Sequence, residues 1–189
     1  MTGLAATMGT AAFAVANSLT GIEVIPGLAT GLALTTIVAR CVGANEYEQA
    51  KNYIRQIMKL AYICLIAFNL PMLLILKPLL EVYNLSPETF DLAFKIVLIH
   101  GISAMLVRPV SFVLPNAFWA ASDVKYPMAV SIVSMIVFRV GFSYIVAYTT
   151  GLGVLSVWFA MSLGWMFRRG CFSWRYFRGV REKISLQNG

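Results

Sequence analysis

Charge is what this sequence has least of. Only 12% of its 189 residues are Asp, Glu, Lys or Arg, against 59% hydrophobic residues and a mean hydropathy of +0.77. Soluble globular chains carry roughly a quarter charged residues, so this composition excludes a soluble domain. Histidine occurs once, and the three cysteines, Cys41, Cys64 and Cys171, are dispersed. That set gives neither metal-ligand spacing nor a disulfide framework, and the cysteines read as small apolar fillers. A nucleophile elbow, an HExxH pair and a P-loop are all missing, so the chain is read as no enzyme, with no cofactor and no metal site. No basic segment precedes the first apolar stretch, as a cleavable signal would require. The net charge of +7 does not point to nucleic acid. Its basic residues fall between and after apolar spans, as those of cytoplasmic loops do.

What remains is a set of long apolar runs. Leu106–Pro127, LVRPVSFVLPNAFWAASDVKYP, stands out because Arg108, Pro109 and Pro115 interrupt a run that begins near Ile96. Proline frees a backbone carbonyl one turn back, here those of Met105 and Ser111. In lipid such carbonyls need neighbouring helices, side chains or water in a cavity. This stretch is therefore expected to be a broken helix walling a polar cavity, with Pro109 and Pro115 as breaks and Pro26 as a break in the first helix.

The expected fold is all-α, a polytopic membrane bundle of about five transmembrane helices over residues 9–42, 60–76, 92–121, 128–148 and 154–167. Residues 1–170 form the bundle and 171–189 a basic tail. Within the first span, Gly27 and Gly31 make a GxxxG pattern that permits close helix contact. Asn45 followed by Glu48 reads as a helix cap. Tyr47, Ala50, Ile54 and Ile57 then recur at helical spacing beside a basic stripe of Lys51, Arg55 and Lys59, as in an interfacial amphipathic helix. Ser86 and Pro87 open the third span, and Thr149–Gly153 reads as a tight turn.

Arg168, Arg169, Arg175, Arg178, Arg181 and Lys183 place the tail in the cytoplasm. Counting back through five spans then puts the N-terminus outside the cell without a signal to take it there. The expectation is an incomplete chain lacking one or more preceding helices.

Glu23, Arg108 and Arg139 are the ionisable residues inside spans. At about 1.5 Å per residue they lie about 25, 22 and 21 Å from Arg40, Asp123 and Lys125 respectively. They are expected to form one polar layer, with Glu23 pairing Arg108 or Arg139 and the other cation left for a substrate, a lipid phosphate or backbone carbonyls. A purely structural pair stands as the alternative. The same ruler places His100 near the outer surface, as a plain polar residue. Trp158, Trp165, Phe167, Phe172, Trp174, Tyr176 and Phe177 read as an interfacial belt and tail anchor; a substrate cage is the less favoured alternative.

The order of segments resembles the multidrug and toxic compound extrusion (MATE) transporters. MGTAAFAVANSL…PGLATGLALTTIVARCVGANEYEQAK is similar to the second helix of a half-bundle in that family, and LVRPVSFVLPNAFWAASDVKYPM to the helix that ends in an Arg-x-x-Gly-Asp-type turn. VFRVGFSYIVAYTTGLGVLSVWFAMSLGW resembles its last two helices. Trp119 stands where that turn usually has Arg, and Ser122 where it has Gly. The resemblance implies helices eight to twelve of twelve, an incomplete C-terminal lobe. It further implies a secondary antiporter exporting drugs or other small amphipathic or cationic molecules against Na⁺ or H⁺, inactive as a lone fragment. The partners implied are membrane lipids, a small-molecule substrate and a missing N-terminal bundle of the same or a separate chain, in a bacterial inner (plasma) membrane. The family's acidic cation sites do not transfer, because the third span has no intramembrane carboxylate. A flippase for lipid-linked saccharides and a non-transporting membrane adaptor are the competing readings.

Overall fold

The computed structural model describes the backbone of residues 2–150 and 154–187, and the side chains of 10–146, 148 and 157–179. Among these residues every regular element is helical. Helix α1 runs Thr2–Gly43, α2 Tyr47–Leu74, α3 Leu76–Glu81 and α4 Pro87–Arg108. A π-helical segment, Pro109–Val113, joins α4 to α5, Leu114–Ala120. Helix α6, Lys125–Ser134, passes through a second π segment, Met135–Phe142, into α7, Ser143–Thr150. Helix α8 spans Val154–Gln187.

Four stretches are long and apolar enough to cross a membrane: Thr10–Gly43, Tyr47–Leu74, Pro87–Ala120 and Lys125–Val146. The fifth expected span, 154–167, forms the beginning of α8. That helix continues without a break past Gly170, where a separate tail was expected. Of the turn expected at Thr149–Gly153, residues 149 and 150 are the end of α7, while 151–153 and the side chains of Arg181 and Lys183 lie outside the described residues.

Helix α1 is the organising element. It packs against α2, α4 and α5, while α4 and the α6–α7 pair pack against α8. Two apolar clusters sit above one another along α1. Ala12, Ala16 and Leu19 join Met72, Leu76, Leu80, Ala93, Ile96, Val97 and Trp158 at one end. Leu34 and Val38 join Ile54, Ile57, Ala61, Val113, Leu114, Ala117 and Phe172 at the other. The amphipathic start of α2 follows its spacing: Ala50, Ile54 and Ile57 are buried while Arg55 and Lys59 are exposed.

None of the three prolines breaks its helix. Pro26 lies inside an unbroken α1. There the Thr30 hydroxyl donates to the Pro26 carbonyl at 2.9 Å and to the Gly27 carbonyl at 3.1 Å. Pro109 opens the π segment and Pro115 sits in the first turn of the α-helix that follows it. The wider turn absorbs the missing N–H donors by shifting hydrogen-bond register, which is how π-bulges occur inside α-helices. Side chains donate to carbonyls next to those that the prolines free. Leu106 O accepts from Arg169 Nη1 at 2.8 Å and from the Tyr62 hydroxyl at 3.4 Å. Asn116 Nδ2 donates to Phe112 O at 2.9 Å and Val113 O at 3.1 Å.

The turns differ in one respect from expectation. Asn45 does not cap α2; it takes a left-handed backbone, φ 59°, after α1 ends, and the residue flanking α2 is Glu46. Glu48 pairs with Lys51 instead. Ser86 and Pro87 do open α4, with the Ser86 and Thr89 hydroxyls 2.7 Å apart.

Candidate functional site: a buried charged chamber

Between the two apolar clusters lies a polar layer. Glu23, on α1, is fully buried. Its Oε2 lies 2.8 Å from His100 Nδ1 on α4, a hydrogen bond between residues 77 positions apart. The other oxygen, Oε1, is buried with no partner. The His100 ring stands edge-on between two indoles, 5.2 Å from Trp158 and 5.1 Å from Trp165.

The carboxylate therefore pairs with histidine rather than with arginine, which corrects the expected pairing. Counting residues from the cytoplasmic turns sets His100 further out than Glu23. The count holds where α1 meets α5, since Gly31 and Thr35 lie against Asn116, and fails nearer the other end, where Glu23 meets His100. Hydropathy gave no hint of this, because the contact joins distant parts of the chain.

Arg108 is buried and lies within electrostatic reach of Glu23 without pairing to it. Its guanidinium rests 5.1 Å from the Phe112 ring centre and 5.5 Å from that of Trp165, and its Nη1 has no hydrogen-bond partner. The π segment positions this group. Pro109 and Ser111 are buried within it, and the Ser111 hydroxyl donates to Trp165 O at 2.6 Å, locking the segment to α8.

A cavity of about 270 Å³ opens beside the layer. Asn17, Thr20, His100, Arg108, Arg139 and the two indoles are among its walls. A second cavity of about 270 Å³ adjoins it and shares Phe112, Arg139, Met161 and Trp165, adding Ser134 and Arg168. So Arg108 and Arg139 do meet at one chamber, with Glu23 one residue behind its wall. Trp158 and Trp165, expected at the membrane interface, are buried here, whereas Trp174 and Phe177 are exposed. Helix α8 turns its tryptophan face inward, and composition alone could not tell which face that would be.

The far end of α8 closes the bundle. Phe172 is fully buried against Phe118 and Tyr126. The Tyr126 hydroxyl donates to Cys171 O at 3.0 Å, and Arg175 Nη2 pairs with Asp123 Oδ2 at 3.1 Å. No group of three or more metal-ligating side chains occurs among the described residues.

Long apolar helices around a charged, aromatic-walled chamber define a polytopic helical membrane protein. The chain belongs to the MatE family, whose model matches residues 1–145. It is similar to the probable multidrug resistance protein YoeA of Bacillus subtilis (strain 168), 25% identical over 172 residues. That match covers 88% of this chain and 37% of the relative, so the chain spans little more than a third of the length of the curated protein it matches. No solved structure matches the chain.

Proposed function

We propose that this bundle is the C-terminal lobe of a secondary antiporter that exports small amphipathic molecules across the plasma membrane, driven by Na⁺ or H⁺. One observation carries the reading. Glu23 is fully buried and bonded to His100, and His100 walls the chamber. Intramembrane ionisable groups are costly and mark ion or substrate pathways. Either ring nitrogen of histidine can take up or release a proton. A carboxylate–histidine pair at the wall of a substrate chamber links the occupancy of the chamber to the gain or loss of a cation. Membership of the MatE family and the name of the bacterial relative support the export reading.

The lobe would work by rocking against a second bundle, on the same or a separate chain, as alternating access requires. Basic residues at the Asp123–Arg175 end favour placing that end, and the C-terminus, in the cytoplasm. A flippase for lipid-linked saccharides is the second reading, favoured by Arg108 and Arg139 at one chamber.

The test is efflux of a fluorescent amphiphile from everted vesicles carrying the lobe with its second bundle, under imposed Na⁺ or pH gradients. Glu23→Gln should abolish gradient-driven export while the protein still inserts and binds the dye. Unchanged export by Glu23→Gln removes the coupling role, and no export under either gradient removes the antiporter reading.

A further inference from the structure

We infer that the adjoining chambers around Phe112 and Trp165 bind an oxyanion carried on an apolar body: an amphipathic carboxylate, sulfonate or phosphate. This rests on the transport reading above and narrows its substrate class.

The charge of the lining is the first reason. Arg108 and Arg139 line one chamber, and Arg139 and Arg168 line the other. No carboxylate lines either one among the described residues. Glu23 lies behind this wall, with Oε2 bonded to His100 and Oε1 bonded to no cation.

The second reason is unmet hydrogen-bonding capacity. Arg108 is more than nine-tenths buried, and its Nη1 has no partner. Nε of Arg168 is likewise buried and unpartnered. Both guanidiniums lie against one ring, Phe112, at 5.1 and 5.3 Å from its centre. Aromatic faces attract a cation but do not accept its N–H groups as an oxyanion does. A buried cation, Arg108, and a half-buried one, Arg168, share one ring and leave charge that an anion would neutralise, and burying charge without a partner is costly.

Shape gives the third reason. The guanidinium fork matches the paired oxygens of a carboxylate, sulfonate or phosphate. The remaining wall is apolar: Phe13, Val24, Val157 and Met161 with the indole faces. Small-molecule sites combine such walls with a few polar groups that fix orientation. A cationic drug would instead meet like charge on two sides.

The experiment is energy transfer from tryptophan to a bound dansyl group, with the whole chain in phosphatidylcholine nanodiscs. Trp158 and Trp165 stand at the chamber wall as donors. Dansylate is the anionic probe and dansylcholine the cationic one. Dansylate should bind at least about tenfold more tightly than dansylcholine, the size of a single hydrogen bond to a charged group. Arg139→Gln should remove that preference; its side chain is exposed to the chamber, so folding is spared. Arg108→Gln should do the same. Lys95→Gln, at an exposed pair elsewhere, should leave the preference intact.

Two competitors separate the sources of the anion. Loss of dansylate binding when phosphatidylglycerol replaces part of the lipid assigns the site to a lipid phosphate. Competition by soluble sulfonates alone assigns it to a free amphiphile. Equal binding of the two probes, a preference for dansylcholine, or a preference that survives Arg139→Gln overturns the inference. Each of these leaves the transport reading standing or falling on the vesicle assay.

Discussion

Glu23 and His100 meet at 2.8 Å in a layer where Glu23 is fully buried and His100 touches only the chamber. Removing one partner strands the other. His100→Ala should leave the Glu23 carboxyl with no hydrogen bond on either oxygen and cost about 3–5 kcal/mol, the range for breaking a buried pair. Glu23→Gln keeps one hydrogen bond and should cost less than half of that. The check is a double-mutant cycle on thermal unfolding in detergent. A coupling energy indistinguishable from zero would show that the pair contributes nothing to the fold.

Much of this arrangement was legible in the sequence, and the part that was not has a common cause. Long apolar runs, the face of Ala50, Ile54 and Ile57, and the Ser86–Pro87 start of α4 all depend on neighbours within a turn or two. The meeting of Arg108 with Arg139 at one chamber came from counting residues along helices, and it held because both were measured from the same turn. The Glu23–His100 contact escaped the same count because the register that fits at Gly31 and Asn116 no longer fits at Glu23 and His100, and a count along single helices assumes that it would. The inward turn of Trp158 and Trp165 escaped because an apolar helix in a membrane has two apolar surroundings, lipid and protein, that composition does not distinguish. The prolines misled for a different reason: a π segment accommodates Pro109 and Pro115 without breaking the helix.

Ser122 takes a left-handed backbone, φ 63°, in the turn between α5 and α6. Only glycine adopts that region without a steric cost, about 1 kcal/mol for a residue bearing a Cβ. This is the position where the resembling family turn usually has glycine. Ser122→Gly should therefore raise stability only slightly, by at most about 0.5 kcal/mol, after the greater freedom of glycine in the unfolded chain is subtracted. Denaturant titration in mixed micelles reads this, and a lowered midpoint would mean that the hydroxyl makes a compensating bond.

The GxxxG pair is unequal. A Cβ on Gly31 would sit 2.8 Å from Asn116 Nδ2, whereas one on Gly27 would meet only Leu65 Cδ2 at 4.0 Å. Asn116 cannot easily retreat, because it ties the Phe112 and Val113 carbonyls of the π segment and faces the Thr35 hydroxyl. Gly31→Ala should cost about 1–3 kcal/mol by overpacking, and Gly27→Ala should be neutral or slightly stabilising. Similar losses at both positions would mean that the whole stripe, not Gly31 alone, sets the α1–α5 approach.

Among the contacts that hold the second half of α8 against the bundle, the Asp123–Arg175 pair and the packing of Phe172 should not count equally. Asp123 and Arg175 are 31% and 42% exposed, and an ion pair so open to solvent contributes about 0–1 kcal/mol and fades with salt. Phe172 is fully buried among Leu34, Val38, Ile54 and Ala117. Truncating a buried phenylalanine costs about 3–5 kcal/mol. Phe172→Ala should thus expose the α8 end to protease in reconstituted vesicles at every ionic strength. Asp123→Asn should show at most a small increase, visible only at low salt. The opposite ranking would place the anchor in the ion pair and make the attachment of this end sensitive to salt rather than to packing.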